Sequence, residues 1–525
     1  MSDGKKIVIS TSLIMFLTLI GSFLGFIVNL FLANYFGAGK EVDAFVIASI
    51  IPTLIYGITN TLLVTCLVVV SIKLEKNLPE EIFHRKLSNI LNITLFVVVC
   101  LLILLSLFAG PVIHLLGPGF DKETLNLTRN IFLILLVGSI FMTLSGFTTG
   151  LLYSKKHFVI SAMLKPIISI SSIFFLMVFV KNLGIYSIAI GIVIGYSVGF
   201  LFQYIMTRSI AFKYKLVFNY KDPIIKEVFI LAIPLFISAL FFQIQYSIPS
   251  IFASFLNQGD IAILNYAFIL INFCSLFIGG SIATVLYPSL TKEIINLNKN
   301  RVKKLLSYGV RISCFLLIPI TGLIILMSKE IISLIYQKGA FGPEQTTAVA
   351  ITLVAYSIGL FAYSLDLILS KYLYALEKMK TRAIQLFILM IITITLSLIL
   401  MHFFGYMGLA LASAFSYIIV VVGSFILIDK VREAINLKNI GLSLSKIIFS
   451  TIIMLGILFL IIPLIKPFFT VNKFGLMLYL TLMSFIGVVL YTVISLILHC
   501  REISYIQEIV NKGIRSGKTV LNQKA

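Results

Sequence analysis

Residues 7–35 read IVISTSLIMFLTLIGSFLGFIVNLFLANY, and not one of them is Asp, Glu, Lys or Arg. About 20 consecutive apolar residues cross a bilayer, so this stretch is a membrane span by length and composition alone. Thirteen further stretches of the same kind follow it, the last from Phe474 to Cys500. The connectors between them are short. A polar connector such as Asn296 to Lys304 falls far below the roughly 50 residues of a small domain. Across 525 residues, 60% are hydrophobic and 12% charged, well outside soluble composition. The chain is predicted to be an all-α polytopic membrane protein with fourteen transmembrane helices.

A net charge of +21 would point a soluble protein towards nucleic acid. Here the placement of the charge gives it another meaning. When connectors are assigned alternately to the two sides, thirty of the 41 Lys and Arg fall on the side of the N-terminus and eight on the other. Lys165, Arg311 and Lys371 lie within apolar stretches. Such asymmetry marks the cytoplasmic side, which predicts cytoplasmic termini and no nucleic-acid partner. Lys5 and Lys6 precede a run too long for a cleavable signal, with no small-residue cleavage site. The five cysteines stand singly in apolar stretches, without ligand or redox spacing. No metal, cofactor or catalytic residue is expected.

The chain also repeats itself at an offset of 220–221. Lys6 matches Lys226, Ala33 matches Ala253 and Gly39 matches Gly259. Later, Leu152-Tyr153 matches Leu373-Tyr374, Gly184 matches Gly405 and Tyr196 matches Tyr417. Gly117-Pro118-Gly119-Phe120 answers Lys338-Gly339-Ala340-Phe341. This predicts an N-terminal six-helix lobe over 1–210 and a second over 222–432. Two extra helices follow in 443–500, then a basic cytoplasmic tail over 501–525. Six is even, so both copies start on one side and are parallel repeats about an axis along the membrane normal. Carriers built this way hold substrate between the halves and rock to alternate access.

The turn Tyr35-Phe36-Gly37-Ala38-Gly39 is followed by Asp43-Ala44-Phe45 and Pro52. Further on stand Ile251 to Leu256, Leu286-Tyr287-Pro288-Ser289-Leu290, Tyr336 to Phe341 and Ala362-Tyr363-Ser364-Leu365. In order and spacing this set resembles the lipid II flippases (the MurJ, or MviN, family) of the multidrug/oligosaccharidyl-lipid/polysaccharide exporter superfamily. The resemblance spans the whole chain. It implies a flippase of the bacterial inner membrane for undecaprenyl-diphosphate-linked peptidoglycan precursors. It also implies a cavity lined by helices one, two, seven and eight, and a lipid-tail groove on the last two helices. Expected partners are the lipid-linked sugar, membrane lipids and cell-wall synthesis enzymes, with the carrier itself a monomer.

In that family, cavity arginines meet the diphosphate. Aligned on the glycine turn and Pro52, those positions hold Ser22, Val28 and Tyr56 here, and Ile269 in helix eight. The carboxylate after the turn is kept as Asp43, expected to pair with Lys40 or with a basic group of the other half and so hold an outer gate shut. Uncharged donors are candidates for lining the cavity. Ser22 and Asn29 share a face of helix one, Tyr56 and Asn60 of helix two, Gln243 and Tyr246 of helix seven, and Asn265 and Asn272 of helix eight. The other reading of these amides is interhelical glue. Ionisable groups inside a membrane are functional candidates. Asp366 is one for gating or ion coupling and Lys165, before Pro166, for head-group contact. Arg311 and Lys371 are expected to snorkel.

Asn92-Ile93-Thr94 and Asn126-Leu127-Thr128 match a glycosylation pattern that has no meaning in such a membrane. Four alternatives to a lipid II carrier stay open. They are a flippase for another lipid-linked oligosaccharide or polysaccharide, a cation-coupled drug exporter, a polytopic glycan-processing enzyme and a non-transporting scaffold paralogue. Short outer connectors poor in acids weigh against the enzyme.

Overall fold

Hydrocarbon offers no water to unpaired amides, so apolar spans satisfy their backbone internally as helices. The computed structural model describes residues 3–207, 212–428, 437–469 and 472–500, together with 431, 433, 435, 502 and 503. Apart from 502 and 503, the predicted basic tail lies outside the described residues. All regular structure among them is helical. The first helices are α1 (Asp3–Phe36), α2 (Lys40–Asn77), α3 (Glu80–Leu107), the short α4 (Ala109–Leu116) and α5 (Lys122–Ser154). Next come α6 (Phe158–Ala162), α7 (Leu164–Leu183) and α8 (Tyr186–Thr207). After an irregular stretch, α9 (Pro223–Ala253) leads to α10 (Asp260–Ser275), which runs through a π turn, Leu276–Gly280, into α11 (Ser281–Ile295). The chain ends with α12 (Lys299–Ile335), α13 (Pro343–Ser357), α14 (Leu360–Ala375), α15 (Met379–Leu427), α16 (Leu437–Phe469) and α17 (Lys473–Ile497).

Among the described residues, twelve helical stretches are long and apolar enough to cross a bilayer, and α13 with α14, bent by 48°, passes the same test when taken together as one broken span. The 49 residues of α15 would extend about 74 Å at 1.5 Å per residue, more than twice the hydrocarbon thickness. Gly405, at φ 56° and ψ −134°, breaks it into two. With its two parts counted separately, the described residues hold fourteen candidate spans, consistent with the fourteen expected. Gly184, which ends α7, has the same backbone conformation, φ 54° and ψ −136°. The turns at Lys156 (φ 62°) and Glu377 (φ 57°) are alike too. There His157 donates its N–H to the Leu152 carbonyl at 2.8 Å and Lys378 to that of Leu373 at 2.9 Å.

Two compact units emerge. The first comprises Met1–Tyr266, Tyr336–Gln345 and Arg382–Leu409. Its centre is α5, whose small residues let α2 approach closely. A Cβ on Gly150 would lie 2.9 Å from the Leu63 carbonyl oxygen. Thr148 donates to Gln203 Oε1 at 2.6 Å and Gln203 donates to Thr149 at 3.1 Å, so buried polar groups of α5 and α8 satisfy one another. Apolar cores form around Leu32, Phe132 and Leu135 and around Leu67, Leu87 and Phe147.

The second unit comprises Ala267–Ile335, Thr346–Thr381 and Ala410–Ala525. Leu290, Leu306, Ile368, Met454 and Tyr479 are part of its core. Arg311 corrects the sequence reading. Instead of snorkelling, it bonds Glu502 at 2.6 Å, with side chains 12% and 1% exposed. Its Nε also reaches Ser443 Oγ at 3.2 Å, and Ser443 donates to the same Glu502 oxygen. A partnered guanidinium needs no interface, because the carboxylate and hydroxyl replace its water. Lys371 Nζ stands 5.6 Å from the centroid of the Tyr287 ring.

Candidate functional site

Gly37, at φ 61°, turns the chain out of α1, and Gly39 starts α2. One turn into α2, Asp43 is 1% exposed. Its Oδ2 accepts the Gly259 N–H at 2.5 Å and its Oδ1 the Ala262 N–H at 2.8 Å. Asp43 therefore caps the start of α10 from a distant segment, satisfying donors that a helix start leaves unpaired. One turn later along α10, the Tyr266 hydroxyl donates to the Gly37 carbonyl at 2.9 Å. A third segment, Tyr336–Gln345, closes the arrangement. Ala340 donates its N–H to the Asn34 carbonyl at 2.9 Å, and Tyr336 its hydroxyl to the Tyr266 carbonyl at 3.3 Å. The rings of Tyr266, Tyr336 and Phe341 lie 5.1–5.8 Å apart between centroids.

The glycines here are demanded by contact. A Cβ on Gly259 (φ 94°) would sit 2.6 Å from the Ala38 carbonyl oxygen, and one on Gly339 (φ 62°) 2.3 Å from that of Asn34. The glycine turn and the Gly339-Ala340-Phe341 motif are thus two parts of one backbone clasp. The predicted partner of Asp43 needs correction. Lys40 bonds Glu123 at 2.7 Å, and Asp43 is held by amides. A carboxylate this buried is met by donors that are already desolvated, whereas bringing in an ammonium would strip it of water. Asn34 and Tyr266 escaped sequence reading, and Tyr336 was read only as part of a motif, since aromatic and amide side chains at span ends are unexceptional. The glycines that their carbonyls and rings approach were the available signal.

The candidate cavity residues of the first unit are only partly brought together. Lys165 Nζ donates to Ser22 Oγ at 2.9 Å, which joins α7 to α1 through two of the candidate residues. Pro166 and Lys165 pack against Gly21, whose added Cβ would come within 2.9 Å of the proline ring. Asn29 turns back on its own helix, donating to the Gly25 carbonyl at 2.9 Å. Tyr56 meets Tyr196 edge to face at 5.4 Å. Gln243 Oε1 faces Gly57, 3.8 Å from where a Cβ would be. Asn60 packs at Gly146 of α5. Tyr246 is 46% exposed and Asn265 half-buried. In the second unit, Asn272 is half-buried and Asp366 is 4% exposed within α14.

A separate cavity of about 330 Å³ lies among α2, α3 and α9, walled by Ile58, Leu62, Ile93, Val97, Ala232 and Phe236 among others. Its lining is almost wholly apolar, which leaves water without partners and suits hydrocarbon. On the last two helices, Phe459, Phe468 and Phe485 are exposed.

A family model described as "Lipid II flippase MurJ" matches residues 32–481. The chain belongs to the lipid II flippase MurJ family. Probable lipid II flippases of this family from Buchnera aphidicola subsp. Acyrthosiphon pisum and Borreliella burgdorferi are similar along most of their length. The first is 29% identical over 87% of this chain and 90% of its own. The second is 24% identical over 90% and 91%. Among solved structures, "Lipid II flippase MurJ, inward closed conformation" matches with a TM-score of 0.80 at 24% identity, over 93% of this chain and 98% of that one. An inward-facing multidrug resistance MATE family transporter of the MOP superfamily follows the same fold, with a TM-score of 0.66 at 14% identity over 80% and 96%. The family expected from the motifs is therefore the family found, and the chain is a multi-pass membrane protein.

Proposed function

We propose that this protein is a flippase that moves an undecaprenyl-diphosphate-linked peptidoglycan precursor of the lipid II type across the bacterial inner membrane by alternating access. The observation that carries the reading is the family match across residues 32–481. The shared backbone conformations at Gly184 and Gly405, and at Lys156 and Glu377, support taking 1–210 and 222–432 as two copies of one unit. The charge asymmetry of the connectors supports cytoplasmic termini, which put the Asp43 clasp on the outer side. There it is the shut outer gate, made of hydrogen bonds that can break and re-form.

A diphosphate entering the cavity exchanges water for fixed donors, and a charge-assisted bond is roughly twice as strong as a neutral one. In this reading Lys165 supplies the charge and Ser22 orients it, assisted by Asn29, Tyr56, Asn60, Gln243, Tyr246, Asn265 and Asn272 along the path. Asp366 serves ion coupling. The prenyl tail lies along the apolar faces of the last two helices. The carrier acts as a monomer, with cell-wall synthesis enzymes receiving its product. One observation favours a second substrate. Ser22, Val28, Tyr56 and Ile269 are uncharged, so a different lipid-linked glycan with a less demanding head group is the alternative.

Replacing the essential flippase in a strain depleted of it separates the two. Growth restored by the natural chain, lost with Lys165→Ala and kept with Lys165→Arg is the expected result. Failure of the natural chain despite normal insertion would turn the assignment to the other glycan. Full rescue by Lys165→Ala would show that neutral donors suffice.

A further inference from the structure

Residues 212–222, between α8 and α9, have no regular structure, yet they are sewn to one face of α3. Asn89 donates to the Asn219 carbonyl at 2.8 Å and accepts the Asn219 N–H at 2.7 Å. Asn92 donates to the Val217 carbonyl at 2.8 Å and accepts the Tyr214 hydroxyl at 2.8 Å. Ser88 Oγ accepts the Lys215 N–H at 3.0 Å. The bonded main-chain groups belong to alternate residues, 215, 217 and 219. That is the period of a strand, with side chains of α3 standing in for the strand beside it. Asparagine suits this task because its amide both donates and accepts. The glycosylation-like Asn92 is thus a structural clamp.

Other contacts extend the seam. Lys215 bonds Glu81 at 2.5 Å, and Phe218 stacks edge-on against Phe96 at 5.3 Å. Phe212 wedges between His84 and Phe147, at 5.6 and 5.9 Å. The seam continues into α9. Lys86 bonds Asp222 at 2.9 Å while Asp222 caps α9 through the Ile224 N–H at 3.0 Å. Lys73 of α2 bonds Glu227 at 2.6 Å. By sequence α9 opens the second six-helix copy, but all of these partners belong to the first.

We infer that Asn89 and Asn92 are positioning residues that keep 212–222 fastened to α3 throughout transport, so that the start of α9 travels with the first six-helix copy. This rests on the alternating-access reading. A linker that peeled off on each cycle would need no such matched set of donors and acceptors.

The test uses full-length protein in vesicles, with Cys66, Cys100, Cys274, Cys314 and Cys500 replaced. Lys86→Cys with Asp222→Cys is joined by a short reducible cross-linker after reconstitution. Flipping of a fluorescent lipid-linked sugar should stay within about twofold of the unjoined protein, the range of neutral surface changes. In contrast, joining Asn34→Cys to Ala340→Cys across the clasp should stop transport until reductant is added. Asn89→Ala with Asn92→Ala should slow flipping about tenfold through the loss of several bonds, and the Lys86–Asp222 cross-link should restore it. A defect of folding alone would not be restored in this way. Transport blocked by the Lys86–Asp222 link and released by reductant would overturn the inference, as would an alanine pair without effect. Hydrogen exchange at the Lys215 and Asn219 amides gives a reading that does not depend on transport. Protection is expected, and free-peptide rates would overturn the inference. An unjoined parent that flips nothing would instead count against the carrier function.

Discussion

Replacing Asp43 should open the clasp without unfolding the protein. Its carboxylate accepts two amide hydrogens, at 2.5 and 2.8 Å, in a site that is 1% exposed. Asp43→Ala leaves both N–H groups without a partner, at about 1–3 kcal/mol each. The closed clasp should therefore lose about 2–6 kcal/mol, or roughly 30- to 20,000-fold in its closing equilibrium at 1.4 kcal/mol per factor of ten. Asp43→Asn keeps one acceptor but turns an NH₂ towards the second donor, so it should recover at most one of the two bonds. Membrane yield should stay near normal, since Ala44, Ile47 and Ala48 of α2 are buried independently of the carboxylate. The assay is disulfide formation between Asn34→Cys and Ala340→Cys, read beside flipping in the same vesicles. Cross-linking should fall in the order natural, Asn, Ala, and flipping with it. If both variants transport normally, Asp43 is only an acid at a helix start, worth roughly 0.3–1 kcal/mol, and the gate argument fails.

Three further outcomes are expected. Gly339→Ala places a methyl 2.3 Å from the Asn34 carbonyl oxygen at a positive φ, so clasp cross-linking should drop at unchanged expression; an unaltered cross-linking rate would refute the close approach. Breaking the buried Arg311–Glu502 pair by Glu502→Gln should lower stability by about 3–5 kcal/mol because it strands a charge. Arg311→Leu with Glu502→Leu should recover much of that loss, as measured by thermal unfolding in detergent. At Gly405 an added Cβ meets nothing within 4 Å, so Gly405→Ala tests backbone strain alone. About 1–3 kcal/mol of destabilisation is expected, with Gly184→Ala giving a like value; widely different values would argue against the two positions being equivalent.

The sequence by itself determined the spans and their number, while the breaks at Gly184 and Gly405 came into view only with the structure. Each span depends on a local property, about twenty apolar residues in a row. Motif order was enough to reach the family. Which face of each helix meets protein was not legible, because lipid and protein core are equally apolar and leave no amphipathic stripe to read. The pairing of buried polar groups was hidden for the same reason. Asp43 and Gly259 are 216 residues apart, Arg311 and Glu502 are 191 apart, and Lys165 and Ser22 are 143 apart. A buried polar group must find a partner, and the sequence states that need at Asp43, Lys165 and Arg311. Only the tertiary structure decides who answers it, because the choice falls to whatever donor or acceptor packing has already brought within 3 Å.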